Sequence, residues 1–364
     1  MQPVSQRSME LRVPDTAVNL AVVGPDPDLL PDVNAALARA PFRTTLYDTE
    51  NVEPQFRAVL TEQFAADGIA GELTVTNGAL DALERIFRTH LTPGDAVVVE
   101  DPSWSSALGL LRLLNLTVVG AEVDDRGMTE EALQAALASR RISAVLITPR
   151  AQNPFGSALD AERAAGLRRI LDAHPHVLVI EDDHAGHLSN GPALTLTQGR
   201  EHFAVIRSMN KALGPDLRVA AMMSDEATAD AVQRRMLLGP GWVPHFVQRV
   251  AASLLEDADA VAAVHHAREV YALRRESFLA ALERRGIPAH GRSGLNVTIP
   301  VPDETATVSR LLLQGWAVRA GSYFRVDTEP FIRVCTATLV PSQGEALAEA
   351  IADVLTPRRR VVSP

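Results

Sequence analysis

A single lysine, Lys211, stands in a chain of 364 residues that carries 34 arginines. Either residue supplies a positive charge at a surface, but only a partly desolvated lysine can lose its proton and form an imine with a carbonyl compound. The lysine in SMNKALGPDLR therefore indicates imine chemistry. On composition alone, a leftover surface lysine is the alternative.

Three consecutive acids, Glu181, Asp182 and Asp183, end the apolar run VLVI. Carboxylates at the end of a buried strand destabilise the fold unless a cation pairs with them. The pattern leaves two partners open. One is a metal ion held together with His184 and His187, and the other is a protonated pyridine nitrogen.

Other residues that suit an anionic, aromatic ligand also follow predicted strands. Gly78 and Ala79 stand where a strand turns into a helix, which suits either a phosphate facing backbone N–H groups and the helix dipole or simply the turn itself. Trp104 suits stacking on a planar ring or packing in a core. Asn153 suits hydrogen bonding to a ring oxygen or a simple turn, and Arg218 suits a phosphate.

The elements that must position these residues alternate between strand and helix. The predicted strands are ELTVT, DAVVVE, LTVVGAEV, AVLIT, VLVIED and FAVIRSM, with helices near 80–90, 106–114, 129–139 and 161–173. Continuous apolar strands between helices predict an α/β fold with a doubly wound, mostly parallel sheet. Ligands collect at the carboxyl ends of such strands. The equal intervals from Asn153 to Asp182 and from Asp182 to Lys211, one crossover unit each, bring these three groups to one edge.

The pattern changes after the turn at Gly239-Pro240-Gly241. A long helix over about 243–285, strand NVTIPV, a helix near 305–314, strand FIRVCTATL and a helix over 342–355 predict a smaller α+β domain. We expect residues 1–45 to form an N-terminal arm with one helix near 31–40. Residues 46–245 then form the large domain, and residues 246–364 the linker helix and small domain.

Composition excludes several classes of protein. A net charge of −10 argues against a nucleic-acid partner, which requires a basic face, and Arg358-Arg359-Arg360 is expected to be a frayed tail. One cysteine, Cys335, allows no internal disulfide and fits a reducing compartment. Without a signal sequence or an apolar run of about 18 residues, a cytoplasmic protein with no membrane partner is expected.

Other histidines and arginines are expected to be structural. His174, His176 and the pair His265-His266 lack a converging carboxylate or cysteine pattern, so no metal site is expected there. Cys335 is expected to pack inside a strand. Contact with a substrate side chain is an option for three further residues, with solvation as the alternative for the two arginines: Arg150, Tyr323 and Arg325.

Six segments resemble, in order and spacing, the fold-type I pyridoxal 5'-phosphate (PLP) enzymes of the class I/II aminotransferase family. They are TPRAQNPFG, IEDDHAGHLS, SMNKALGPDLR, GPGW with the glutamine helix after it, RSGLNVTIPVP and FIRVCTATL. The chain is most similar, from about Val22 to Leu355, to the aminotransferase-like domain of MocR-type regulators of the GntR family. The resemblance implies a seven-stranded type of large-domain sheet, a homodimer with shared active sites, and amino acid and keto acid substrates.

The resemblance implies a role for each matching residue. Lys211 holds PLP as an internal aldimine and transfers the Cα proton, Asp182 keeps the pyridine nitrogen protonated, and Arg333 binds the substrate α-carboxylate. The remaining cofactor contacts are Asn153 on the ring oxygen, Trp104 stacked on the ring, and Gly78, Ala79, Ser208, Arg218 and the other subunit's Tyr47 on the phosphate.

This chain departs from the family pattern at several positions. His184 replaces the usual tyrosine, and we expect it to face the ring oxygen and change its donor state within the working pH range. Val52 replaces a usual glycine, and too few residues precede the resemblance for a winged helix-turn-helix, so no direct DNA binding is expected. The implied function is transamination of an amino acid. The alternatives are another PLP reaction (decarboxylation, elimination, cyclisation or oxidation) and a non-catalytic module that senses PLP or an amino acid.

Overall fold

The computed structural model describes residues 13–40, 42–47, 49–189 and 191–356. The strands of its first two thirds are β1 (Val18–Asn19), β2 (Glu72–Thr76), β3 (Ala96–Asp101), β4 (Thr117–Asp124), β5 (Gly127–Met128), β6 (Ile142–Ile147), β7 (Leu178–Asp183), β8 (Phe203–Ser208) and β9 (Ala220–Ser224).

The large sheet runs in the order β2-β9-β8-β7-β6-β3-β4-β5 through the described residues. Strands β8, β7, β6, β3 and β4 are parallel neighbours, whereas β9 is antiparallel to β2 and β8. The two-residue β5 only extends the edge of β4 as an antiparallel hairpin. The predicted seven-stranded, mostly parallel sheet is therefore confirmed, with β5 as a short addition.

Helices cover both faces of this sheet. The helices of this part of the chain are α1 (Val33–Arg39), α2 (Pro54–Ala66), α3 (Ala79–His90), α4 (Ser105–Leu113), α5 (Glu130–Ser139), α6 (Ala161–Asp172), α7 (Asn210–Leu213) and α8 (Glu226–Leu237). Val97 and Val99 of β3 pack into one apolar cluster, and Val98 packs into another on the opposite face. The continuous apolar runs of the strands follow from this two-sided burial.

The sequence did not lead us to predict α2 or α8. Both have clear start signals, because Glu53 caps α2 with Pro54 in its first turn, and Asp225 caps α8 by accepting a hydrogen bond from Thr228 N. Neither helix lies between two of the strands predicted for the large sheet, so the alternation of strand and helix does not mark them.

The C-terminal part contains α9 (His245–Glu256), α10 (Ala258–Glu283), β10 (Asn296–Pro300), α11 (Glu304–Leu313), β11 (Trp316–Ala317), β12 (Arg319–Ala320), β13 (Phe331–Cys335) and α12 (Pro341–Leu355). Strands β10, β13 and β12 form an antiparallel sheet. The prediction of one helix over 243–285 is wrong. Asp257 has extended dihedral angles, and its carboxylate accepts a hydrogen bond from Ala260 N, so it ends α9 and caps α10.

Further predictions concern Cys335, membrane spans and domain boundaries. Cys335 is buried in β13 among apolar side chains, as expected. No helix within the described ranges combines the length and apolar character that crossing a bilayer requires. The predicted domain boundaries stay predictions, and the run Arg358-Arg359-Arg360 lies outside the described residues.

Candidate active site

The carboxyl ends of three adjacent parallel strands bring the predicted site residues together. Strand β7 lies between β6 and β8, with Ile147 opposite Glu181 and Asp182 opposite Ile206. Asn153 follows β6, Asp182 lies near the end of β7, and Lys211 follows β8 at the start of α7. The sheet topology thus delivers an amide, a carboxylate and an amine to one edge.

Lys211 lies in a site where its charged form is disfavoured. Burial lowers the pKa of its ammonium group, and the nearby guanidinium groups of Arg333 and Arg218 lower it further, while Asp182 acts in the opposite direction. A lowered pKa increases the fraction of neutral amine. The side chain is therefore suited to attack a carbonyl carbon and to accept a proton.

Asp182 is a buried carboxylate that lacks a strong partner. Its Oδ1 accepts no hydrogen bond from any described residue, and the Nδ1 of His184 is 3.8 Å from its Oδ2. Burial raises the pKa of Asp182 to about 7, Lys211 opposes the rise and Asp183 adds to it. A cationic N–H group placed against Oδ1 would remove this penalty.

The neighbouring acids have partners within the chain. Glu181 accepts hydrogen bonds from the Thr195 hydroxyl and from the backbone N–H of Leu196, and burial raises its pKa to about 7. Asp183 forms ion pairs with Arg150 and Arg207, and these hold its pKa well below its usual range although burial opposes them. Of the three, only Asp182 is left for a ligand.

Arg150 and Arg325, two residues considered for a substrate side chain, both have acidic partners within the chain. Arg150 donates two hydrogen bonds of 2.8 Å to Asp183. The Nε of Arg325 is 2.8 Å from a carboxylate oxygen of Glu304, and its Nη1 donates to Thr328 O. Both arginines therefore support the protein framework.

His184 lies beside Asp182, but its predicted titration is wrong. Burial lowers the pKa of His184 to about 3, and the charge of Lys211 acts in the same direction. The imidazole is therefore neutral across the working pH range, where it still offers one N–H donor. Burial also lowers the pKa of His187 to about 4, and its Nε2 lies 3.2 Å from Gln63 Oε1.

The start of α3 and Arg218 form a cradle for an anion. Gly78 precedes α3 with a φ of +92° and no side chain caps the helix, so the first N–H groups of the helix stay available. A Cβ on Gly78 would lie 2.8 Å from Arg218 Nη2, which places the guanidinium directly against the turn. Ser208, a further residue predicted to bind the phosphate, is the last residue of β8. Its hydroxyl donates to Asn210 Oδ1 at 2.7 Å.

Arg333 is a buried cation that no carboxylate pairs with in the described residues. Its side chain lies over the ring of Phe324 at 5.1 Å, donates to Asn153 Oδ1 at 3.4 Å and also contacts Ala21 O. Burial lowers its pKa to about 10, which still leaves the guanidinium charged. An unpaired buried guanidinium beside Asn153 is suited to a carboxylate ligand.

Trp104 and Tyr47 are the two aromatic residues predicted to contact the cofactor, and they differ in burial. Trp104 is the N-cap residue of α4 and is half-buried against the apolar cluster under the sheet. Tyr47 is 95% exposed and touches only the edge of the Trp242 ring at 5.8 Å among the described ring contacts. The expected contact of Tyr47 with the phosphate in the other subunit's site stays a prediction.

Asp101 joins two distant segments near the site, and no pattern in the sequence marks it. Its carboxylate accepts three backbone hydrogen bonds, from Val326, Asp327 and Thr328, at 2.7–2.9 Å. The N–H of Ser103 donates to Phe324 O at 2.9 Å. These bonds join the end of β3 to residues 324–328, a segment that is distant from β3 in the chain. The Phe324 ring of this segment lies under the Arg333 guanidinium.

The chain matches one protein family over most of its length. The family model described as aminotransferase class I and II matches residues 16–351. The chain is 38% identical over 335 residues to the vitamin B6 salvage pathway transcriptional repressor PtsJ of Salmonella typhimurium, covering 91% of this chain and 78% of that protein. It is 29% identical to the aspartate/prephenate aminotransferase of Thermus thermophilus, covering 88% and 87%. The structure of kynurenine aminotransferase from Pyrococcus horikoshii has a TM-score of 0.85 at 22% identity, over 98% of both chains.

Proposed function

Because this chain belongs to the class I and II aminotransferase family, whose cofactor is PLP, we propose that it is an aminotransferase that exchanges an amino group between an amino acid and a keto acid. One observation carries the proposal. The buried guanidinium of Arg333 has no carboxylate partner among the described residues, and its charge lowers the pKa of Lys211. A substrate carboxylate on Arg333 would bring the substrate Cα toward the lysine amine.

The residues at the strand ends fit the cofactor. Asp182 Oδ1, which is buried and unpartnered among the described residues, would accept from the pyridinium N–H. Asn153 and His184 would contact the ring oxygen, and Trp104 would stack on the ring. The start of α3 would hold the phosphate through four residues: Gly78, Ala79, Ser208 and Arg218.

The chemistry of the reaction is then divided between cofactor and protein. PLP supplies an electron sink for the Cα–H bond of the bound amino acid. Lys211 Nζ accepts the Cα proton and delivers it again as general base and acid, which its lowered pKa favours. Arg333 orients the substrate through a bidentate guanidinium–carboxylate pair, and Asp182 stabilises positive charge at the ring nitrogen.

We further propose a homodimer in the cytoplasm. Phe42, Leu46 and Tyr47 are large side chains with exposed fractions of 79%, 64% and 95%, an apolar stretch that a second copy would cover. The resemblance assigns Tyr47 to the phosphate of the partner's site. The lone buried cysteine fits a reducing compartment.

A second candidate function follows from the relative PtsJ, which is a transcriptional repressor. In that case the same site would bind PLP and an amino acid without turnover, and the chain would transmit the bound state to a partner. Retention of Lys211, Asp182 and Arg333 is compatible with both functions. Binding alone therefore does not separate them.

Product analysis distinguishes these functions. The purified protein with PLP is incubated with a panel of amino acids and with pyruvate or 2-oxoglutarate as amino acceptor, and new amino acids are measured by chromatography. We expect product in large molar excess over protein, and none from Lys211→Ala. A spectral change with no more than one equivalent of product would support the sensing module instead, and carbon dioxide, ammonia or a cyclised product would indicate another PLP reaction.

A further inference from the structure

A buried ion-pair network lies immediately beside the cofactor residues. Asp183 receives Nε and Nη2 of Arg150 at 2.8 Å each and Nε of Arg207 at 3.0 Å. Arg207 also donates to Asp67 at 2.6 Å. The side chains of Asp183, Arg207 and Arg150 are only 3%, 4% and 9% exposed, and the two negative charges balance the two positive ones.

Three members of this network are close in sequence to a cofactor residue. Arg150 belongs to the segment between β6 and Asn153, Asp183 follows Asp182, and Arg207 precedes Ser208 on the strand that leads to Lys211. Consecutive residues of a strand point to opposite faces of the sheet. Asp183 therefore points to the face of the sheet opposite Asp182. Through Arg150 and Arg207 it connects the ends of β6, β7 and β8 on that face.

The turn after β7 packs directly on the ion pair. A Cβ on Gly186 would be 2.4 Å from Asp183 Oδ2 and 2.6 Å from Arg150 Nη2, so only glycine allows this approach. Arg150 Nη1 also donates to Gly191 O at 3.1 Å. The turn thereby keeps water from the pair, which strengthens its hydrogen bonds and fixes its geometry.

We propose that Arg150 and Asp183 are positioning residues for PLP. Their bidentate pair fixes the relative positions of Asn153, Asp182 and Lys211 without touching the cofactor. The inference concerns PLP binding, and it holds whether the protein turns over amino acids or only senses them.

The test measures PLP affinity and apo-protein stability separately. Arg150→Met is expected to raise the PLP dissociation constant about tenfold, the size of effect that supporting residues of a site exert, in a titration of the apo protein followed by absorbance. Arg163→Met is the matched control. Arg163 is as buried as Arg150 and forms a bidentate pair with Asp124 at 3.1 and 2.7 Å, although Asp124 is 46% exposed. This pair joins α6 to β4, three strands from β7. We expect it to lower the unfolding temperature and leave PLP affinity within about twofold.

The double variant Arg150→Met/Asp183→Asn separates positioning from charge burial. It removes both members of the pair, and Arg207 keeps Asp67 as its partner, so stability should return toward the wild type while PLP affinity stays weak. Recovery of affinity together with stability would overturn the proposal, as would wild-type affinity in Arg150→Met or an equal loss in Arg163→Met. If Arg150→Met does not fold, Arg150→Lys keeps the charge without the fork and must show the same weakened PLP binding.

Discussion

Arg218 lies so close to Gly78 that a Cβ at position 78 would be 2.8 Å from the guanidinium Nη2. Gly78 also has a φ of +92°, which side-chain-bearing residues rarely adopt. We expect Gly78→Ala to lower stability by about 1–2 kcal/mol. It should also displace Arg218 and weaken PLP binding about tenfold, the size of a lost charge-assisted hydrogen bond. Urea unfolding and PLP titration measure the two effects.

Gly94→Ala is the control for backbone strain. Gly94 has a similar φ of +97°, but no atom lies within 4 Å of the position that its Cβ would take. The stability loss should therefore be similar, with PLP affinity unchanged. Equal weakening of PLP binding in both variants would show that Gly78 contributes only to folding.

Lys211 supplies the second prediction, because the chain has no other lysine. Borohydride reduction of the PLP-bound protein should fix the cofactor to a peptide that contains Lys211, as mass spectrometry will show. Lys211→Arg keeps the positive charge but cannot form the imine, so it should retain reversible PLP binding and lose the reducible linkage. An adduct found on the N-terminal amine alone would refute the assignment.

The positions of Lys211, Asp182 and Asn153 could be predicted from the sequence because each lies at or just beyond the carboxyl end of a buried parallel strand. Such strands carry continuous apolar runs, and their carboxyl ends meet at one edge by topology. Residue type then identified the chemistry, since a lone lysine among arginines and a carboxylate after an apolar run are unusual.

The sequence could not supply contacts between distant segments. Asp101 bonds to N–H groups 225–227 residues away, and the Arg150–Asp183 pair spans 33 residues. No local pattern marks either contact. The neutral state of His184 was missed for a related reason, since its lowered pKa depends first on burial, which only the folded chain creates.

The pH dependence of Asp182 gives a third prediction. Its pKa is raised to about 7, above the value of about 4 for an unfolded aspartate, so the folded protein retains a proton that the unfolded chain loses. The contribution of Asp182 to the free energy of unfolding therefore falls as pH rises from about 4 to 7 and then stays constant. Asp182→Asn should therefore stabilise the apo protein at pH 8 and not at pH 4, as urea unfolding at both pH values will show.

The same variant should have the opposite effect on PLP. An asparagine cannot provide the negative charge that favours a pyridinium, so Asp182→Asn should bind PLP more weakly while the apo protein is more stable. Apo stability that rises equally at pH 4 and pH 8 would mean that the carboxylate is not the source of the effect.

His184 gives a fourth prediction. Since its pKa is lowered to about 3, the imidazole stays neutral above about pH 4. His184→Gln retains a neutral N–H donor without any titration, so the absorbance of bound PLP should follow the same pH curve as the wild type from pH 5 to 8. His184→Phe removes the donor and should change the spectrum at every pH in this range. A step near pH 6.5 that is lost in His184→Gln would show instead that the imidazole titrates.

Arg333 gives the last prediction, and it tests how the substrate is held. The guanidinium is buried over Phe324 and contacts Asn153, so a carboxylate that reaches it meets a fixed fork of donors with little water present. Arg333→Lys keeps the charge but loses the bidentate geometry. We expect amino-acid binding to weaken by about tenfold or more, at about 1.4 kcal/mol per tenfold, while PLP affinity and its absorbance stay unchanged.

Arg319→Lys is the control. It changes another arginine of the small domain, on β12 opposite Arg333, and should leave the affinities for PLP and for the amino acid unchanged. Unchanged amino-acid affinity in Arg333→Lys would place the substrate carboxylate elsewhere. Loss of PLP binding would instead show that Arg333 supports the cofactor through Asn153.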